Sequence, residues 1–249
     1  MNRDVKPGKY AALMTILLLV GIVGSVLLWL RAQRSQHSLD RQLIAALVKK
    51  DTIRALSLVN SGANPDSRYL PTAVPSLETL ARQLLRHSPR TTNNSPTALM
   101  MACGASWSPA GASFVFGDSL LGPDDSEADR ISLVQAMLAH GATVELRGEL
   151  GFTPLMCGVS SHCLEIVRLL LARGAVVNSR DDLGETALCH AIVYSVDADT
   201  VQYLLMHGAD PNIATKDGQS TLSLARRYGG PEIVDLIQQT VAKSAPLHQ

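Results

Sequence analysis

Aromatic residues are scarce in this chain of 249 residues, which holds two Trp, five Tyr and three Phe although 46% of its residues are hydrophobic. Aliphatic side chains must therefore supply most of the buried surface. Neither charge is in surplus, since 22 Lys and Arg balance 22 Asp and Glu, and this argues against a nucleic-acid partner. Four Cys are too few for a fold that depends on disulfides.

One source of the aliphatic residues is an uncharged run of 21 residues from Tyr10 to Leu30. As a helix it is long enough to cross a hydrocarbon layer of about 30 Å, and Trp29 lies at one end as interfacial rings do. A cleaved signal peptide would have a shorter apolar region followed by small residues, whereas this run ends in bulky ones. We predict a single transmembrane helix and a lipid bilayer partner at 10–30, between a tail at 1–9 and a linker at 31–38.

The charges around this segment leave its orientation open by the positive-inside rule, because three basic residues precede it and three follow within fifteen residues. A short cationic tail opposes translocation against a membrane potential that is negative inside. We therefore favour a cytoplasmic N-terminus with the rest of the chain outside.

The second half of the chain repeats with a period close to 33 residues. Two glycine series share this period, with successive spacings of 33 and 34 residues in each. They are Gly141, Gly174 and Gly208, and Gly151, Gly184 and Gly218. A fixed period of this length is typical of solenoids, in which each unit packs on its neighbours.

The repeated residues resemble ankyrin repeats, whose pattern is a turn, Thr-Pro-Leu-His, a helix, a loop, a second helix and a Gly-Ala-Asp-x-Asn ending. Residues 208–212 match that ending, and residues 164–171 match the second helix. The resemblance implies an all-α helical solenoid of paired antiparallel helices with short hairpin turns, preceded by the transmembrane helix. The repeat domain covers 39–241, with repeats at about 39–66, 92–146, 148–180, 181–214 and 215–241, insertions at 67–91 and 104–129, and a tail at 242–249.

The sequence departs from the family pattern in three places: at the His of Thr-Pro-Leu-His, at the insertion 67–91 between the first two repeats, and at the insertion 104–129 between the two helices of the second repeat. The usual His of Thr-Pro-Leu-His is replaced in four units, by Met100, Met156, Cys189 and Ser223, so its hydrogen bond to the turn is expected to be missing. The insertion at 67–91 contains an amphipathic stretch, Leu77 to Arg86, which predicts an extra helix. The last unit is typical of a cap, because Pro231 suits a helix start.

The resemblance implies a protein partner and no reaction, so we predict a membrane-tethered scaffold, recruiter or inhibitor that is not an enzyme. In ankyrin-like domains the turns and the first helices line a concave surface that binds proteins. The candidate contact residues in those turns are Glu145, Arg147, Glu149, Arg180, Asp181, Asp182, Lys216 and Asp217. Charged turns are also typical of solvated loops. In the insertion, Trp107, Phe114 and Phe116 either bind a partner or cover a repeat.

Two alternatives come from other features. Residues 117–120, Gly-Asp-Ser-Leu, resemble the nucleophile block of the GDSL esterases, with Ser119 as nucleophile, but the chain has no Asp-x-x-His to supply the base. A self-assembling structural protein would instead pair through an uncapped repeat end. The seven His do not cluster along the sequence, so we expect no metal, no cofactor and no small-molecule substrate.

Overall fold

The computed structural model describes residues 35–68, 95–104, 126–194 and 196–244, with short pieces at 25, 28, 31–33, 106–107 and 114–115. Helix α1 covers residues 35–48. The others are α2 (Thr52–Asn60), α3 (Ala98–Cys103), α4 (Glu127–Ala139), α5 (Pro154–Ser160), α6 (Leu164–Ala172), α7 (Ala187–Val193), α8 (Ala198–Met206), α9 (Thr221–Tyr228) and α10 (Pro231–Ser244). A short 3-10 helix covers Glu149–Gly151.

The helices form two layers. In one layer α3, α5, α7 and α9 contact one another in this order, and in the other α2, α4, α6, α8 and α10 do the same. Each first helix also contacts the second helix of its own unit, as α5 contacts α6 and α7 contacts α8. This is the all-α solenoid of helix pairs that the sequence predicts. One hairpin is added to it by strands β1 (Ser106–Trp107) and β2 (Phe114–Val115), which pair antiparallel.

The same local chemistry begins and ends the helices of each unit. A hydroxyl side chain accepts the backbone N–H three residues further on at the start of the four first helices, from Thr97, Thr153, Thr186 and Ser220. The glycine after the second helix has φ between +85° and +87° in three units. A residue in this left-handed backbone conformation ends a helix without steric strain when it has no Cβ, as in glycine.

The core is aliphatic, as the scarcity of aromatic residues predicts. Its largest fully buried side chains are Leu, Ile and Met. Every residue of α3 and α5 is buried, and in α7 only Val193 is partly exposed. By contrast, α9 exposes Ser223, Arg226, Arg227 and Tyr228. The first-helix face of the predicted binding surface is therefore shielded from solvent along α3, α5 and α7 and accessible along α9.

Several predictions fall outside the described residues. One is the predicted transmembrane segment 10–30, of which only Ser25 and Leu28 are described, both as helical. Another is the amphipathic stretch from Leu77 to Arg86. Over the residues that are described, no helix has both the length and the apolar character needed to cross a bilayer. The described positions of the predicted linker, 31–33 and 35–38, are helical, and Pro231 begins α10.

Candidate functional site

The hairpin turns that precede the first helices are joined to one another through their backbones. Asp182 N donates to the carbonyl of Leu150 at 2.8 Å, and Lys216 N donates to the carbonyl of Leu183 at 2.8 Å. Leu150 and Leu183 occupy equivalent positions 33 residues apart, and their exposed fractions are 47% and 55%. Leu150 has a φ of +56°, which is uncommon for a residue with a branched side chain.

A ladder of arginines runs along the base of these turns. Arg68 Nη2 donates to the carbonyl of Arg147 at 3.1 Å, and Arg147 Nη1 donates to the carbonyl of Arg180 at 2.6 Å. Arg180 Nη2 in turn donates to the carbonyl of Ala214 at 2.7 Å. Each acceptor is the equivalent residue of the next unit. Arg147 and Arg180, predicted as partner contacts, thus use guanidinium donors to hold neighbouring units together.

A second ladder joins the units at the residue four positions after each helix-ending glycine. Asp66, Glu145 and Asn178 each accept a backbone N–H from the following unit through a side-chain oxygen. The donors are Thr143 at 2.8 Å, Val176 at 2.8 Å and Asp210 at 2.9 Å. Glu145 also accepts from Ser179 Oγ at 3.1 Å. The carboxylate of Glu145, another predicted contact residue, is therefore a structural acceptor.

The turn before α7 contains a buried acid and histidine pair. Asp181 Oδ1 accepts the N–H groups of Leu183 at 2.9 Å and Glu185 at 2.8 Å, and Asp181 Oδ2 lies 3.1 Å from His190 Nε2. Glu185 Oε2 lies 3.7 Å from the same nitrogen. The side chains of Asp181 and His190 are both 1% exposed and that of Glu185 is 23% exposed.

This arrangement was not predicted from the sequence. The family's His is replaced by Cys189, and only the loss of that residue's hydrogen bond was expected. His190, one residue later on α7, contacts the turn instead through Asp181. The ring of Phe152 meets the His190 ring edge-on, with centroids 5.1 Å apart, and Tyr194 stacks on it at 5.8 Å.

Burial governs the electrostatics of this turn. Burial raises the pKa of Glu185 above its usual range; His190 opposes this rise, and Asp181 and Asp217 add to it. Burial likewise raises the pKa of Tyr194, assisted by Glu185 and Asp181. Burial is the main cause of both shifts because it disfavours the charged form of each group.

The remaining candidates divide into exposed residues and residues whose side chains the structure does not describe. Lys216 Nζ donates to the carbonyl of Asp182 at 2.7 Å, and Asp182 and Asp217 are exposed. Trp107 pairs with Phe114 through the backbone of the β1–β2 hairpin. Glu149 begins the 3-10 helix. Phe116 and Ser119 lie outside the described residues.

Comparison with known families finds ankyrin repeats in this part of the chain. The family model for the ankyrin repeat matches residues 150–182 and 183–216, which confirms the resemblance there. These two stretches contain both exposed leucines and the Asp181–Glu185–His190 cluster. No curated protein matches the chain. Ankyrin repeats are typically interaction domains without enzymatic activity.

Proposed function

We propose that this chain, which carries ankyrin repeats over residues 150–216, is a membrane-tethered module that binds a protein partner through the turns of its repeats. The ankyrin repeats support the part of this proposal that concerns protein binding, because such repeats are typically interaction domains. The uncharged run from Tyr10 to Leu30 supports the tether, because it has the length and composition of a transmembrane helix. Such a module acts as a scaffold, a recruiter or an inhibitor at the membrane surface.

The observation that carries the proposal is the pair of exposed leucines at equivalent positions of successive turns, Leu150 and Leu183. A single exposed leucine needs no explanation, but here the exposure recurs with the repeat. The backbone carbonyl of each leucine accepts an N–H from the next turn. The two side chains are therefore presented by a fixed backbone, which reduces the entropy lost when a partner binds.

The polar surroundings of these leucines specify the chemistry of the partner. Asp182 and Asp217 are exposed on neighbouring turns, whereas Arg147, Arg180 and Lys216 direct donors at backbone carbonyls. The surface thus offers apolar side chains beside carboxylates. We expect the partner to present apolar residues with at least one Lys or Arg among them.

Crosslinking of the full-length chain in its native membrane, followed by recovery of the crosslinked complex, tests the proposal. A double variant, Leu150→Asn with Leu183→Asn, removes both apolar side chains, and Asn tolerates the positive φ at position 150. We expect the partner to be lost from the complex, corresponding to an affinity lower by more than about tenfold if the leucines are binding hot spots.

The matched control is Met206→Asn, which replaces another apolar residue, 75% exposed, at the end of α8. We expect this variant to recover the partner as the unaltered chain does. Recovery of the same partner in the same yield by the double leucine variant would show that the turns do not bind it.

A further inference from the structure

Asp181, Glu185 and His190 bring three potential metal ligands together in one turn and the helix that follows it. One ligand atom from each lies within 4.8 Å of the other two. Across the part of the chain that the structure describes, no other group of three such side chains meets this condition. Both carboxylates lie on the turn before α7, while the imidazole comes from the middle of that helix.

We propose that this cluster binds a divalent transition-metal ion of the zinc class, through His190 Nε2, one oxygen of Asp181 and one oxygen of Glu185. Ligand atoms about 2.0–2.2 Å from a tetrahedral ion lie about 3.3–3.6 Å from one another. The two oxygens lie 3.1 Å and 3.7 Å from Nε2, on either side of that separation. The ion enters with small shifts of the side chains, and solvent supplies its fourth ligand.

The ligands are oriented before any ion binds. Asp181 Oδ1 is held by the N–H groups of Leu183 and Glu185, which leaves Oδ2 facing the imidazole. Asp181 N also donates to the carbonyl of Glu185 at 2.9 Å, closing the turn. Phe152 and Tyr194 pack against the ring of His190. Hydrogen bonds that orient ligating carboxylates in this way are typical of metal sites.

The charge of the cluster favours a cation. Asp181 and Glu185 face one imidazole, and Asp217 adds a third carboxylate nearby. The basic residues of this turn and the next donate to backbone carbonyls and not to the cluster, since Arg180 donates to the carbonyls of Gly184 and Ala214 and Lys216 to that of Asp182. A divalent ion would balance the carboxylates, and Glu185, the most exposed of the three ligands, lies on its route of entry.

Metal titration of the full-length chain, purified in detergent and stripped with a chelator, tests this site. We expect Zn²⁺ to bind with a stoichiometry of one ion per chain, and Co²⁺ to develop the visible absorption of a four-coordinate ion. The Co²⁺ spectrum also separates this site from the cysteines, because thiolate ligands produce an additional near-ultraviolet charge-transfer band. We expect that band to be absent.

Glu185→Gln and His190→Gln each remove one ligand while keeping a polar side chain of similar size. We expect each to weaken Zn²⁺ binding by more than about tenfold, since loss of even an orienting partner costs that much. His140→Gln is the matched control, because His140 is exposed at the end of α4, and we expect it to bind Zn²⁺ as the unaltered chain does.

Three results would overturn the proposal: no saturable Zn²⁺ binding by the unaltered chain, unchanged affinity in both variants, or a thiolate band in the Co²⁺ spectrum. Circular dichroism checks that each variant is folded. If His190→Gln loses helical content, Glu185→Gln decides by itself, because its side chain is partly exposed.

Discussion

Several charged side chains of this protein form hydrogen bonds with backbone groups of the neighbouring unit. Arg147 and Arg180 have the appearance of solvent-exposed binding residues, yet their donors reach carbonyls of the next unit. Glu145 accepts an N–H from the next unit in the same way. Backbone groups between stacked turns lack strand or helix partners, so nearby side chains satisfy them.

The partly buried carboxylate of Glu185 makes stability depend on pH. Burial raises its pKa in the folded chain, so the folded state holds this proton more tightly than the unfolded state does. Stability therefore falls as the pH rises from the unfolded pKa, about 4.3, through the higher folded pKa, and the loss persists above it. In Glu185→Gln this loss is absent. With a chelator present, we subtract the free energy of unfolding of the unaltered chain from that of the variant. We expect this difference to be more positive at pH 7 than at pH 4, which means that the variant gains stability relative to the unaltered chain.

Urea unfolding of the full-length chain in detergent, followed by circular dichroism at the two pH values, measures this difference. Glu165→Gln on α6 is a suitable control, because it makes the same chemical change at an exposed residue. If the difference in free energy of unfolding between Glu185→Gln and the unaltered chain were equal at both pH values, it would contradict a raised pKa of Glu185 in the folded chain.

The cysteines are expected to be unreactive in the folded chain. All four are buried and none is in a disulfide. Burial raises the pKa of Cys157 to about 12 and raises the pKa values of Cys103 and Cys163 as well, against a smaller opposite effect of Arg130. Because the thiolate is the reactive form, we expect maleimide at pH 7 to modify none of them within minutes. Mass spectrometry should show four additions once the chain is unfolded.

At the level of secondary structure, each helix pair depends on its neighbours. The pairs share both helix layers, and their turns and loops are linked by the two ladders of side-chain hydrogen bonds. In a linear stack of this kind, the interfaces between units contribute much of the stability. A substitution that breaks one link should therefore lower the stability of the units on both sides of it.

Asn178→Ala tests one such link. Asn178 accepts from Asp210 N at 2.9 Å and donates to the carbonyl of Gly208 at 2.9 Å. Loss of both bonds should lower the free energy of unfolding by about 1–2 kcal/mol. Urea unfolding of the full-length chain provides the measurement, with Gln202→Ala on the exposed face of α8 as the control, expected within about 0.5 kcal/mol of the unaltered chain. Equal effects of the two substitutions would show that the link contributes nothing.

For the molecule as a whole, the proposed anchor and the repeat stack would have separate physical requirements. Lipid selects an apolar helix about 20 residues long, whereas the stack needs small and aliphatic side chains at a regular period. Residues 31–33, which follow the proposed anchor in the sequence, are helical. For a tethered chain, the side of the membrane on which the repeats lie would decide which proteins can bind them.

Labelling of one introduced cysteine tests the membrane orientation. Arg173→Cys places a thiol at the exposed end of α6, while the four native thiols are buried. If the repeats lie outside the cell, a maleimide that cannot cross membranes should label this variant in intact cells and leave the unaltered chain unlabelled. Labelling that appears only after the membrane is permeabilised would place the repeats in the cytoplasm.

The sequence was sufficient to predict the helix pairs of the repeats, because glycine positions and aliphatic periodicity act within a few residues. It was less informative about the site. Arg180 and Asp181 are predicted partner contacts, and the hydrogen bonds that their side chains form within the stack could not be predicted from the sequence. The participation of His190 was missed because the family pattern places histidine at Cys189, and no spacing rule for metal ligands covers Asp181, Glu185 and His190.

Local sequence alone therefore determined the repeat architecture, the aliphatic core and the uncharged stretch at 10–30. Tertiary structure decided which side chains face neighbouring units, which leucines remain exposed, and that two carboxylates of a turn meet an imidazole of α7. The physical reason is the range of the interactions. Helix caps and apolar periodicity involve residues close in sequence, whereas the ladders and exposed turns depend on how one unit is seated on the next.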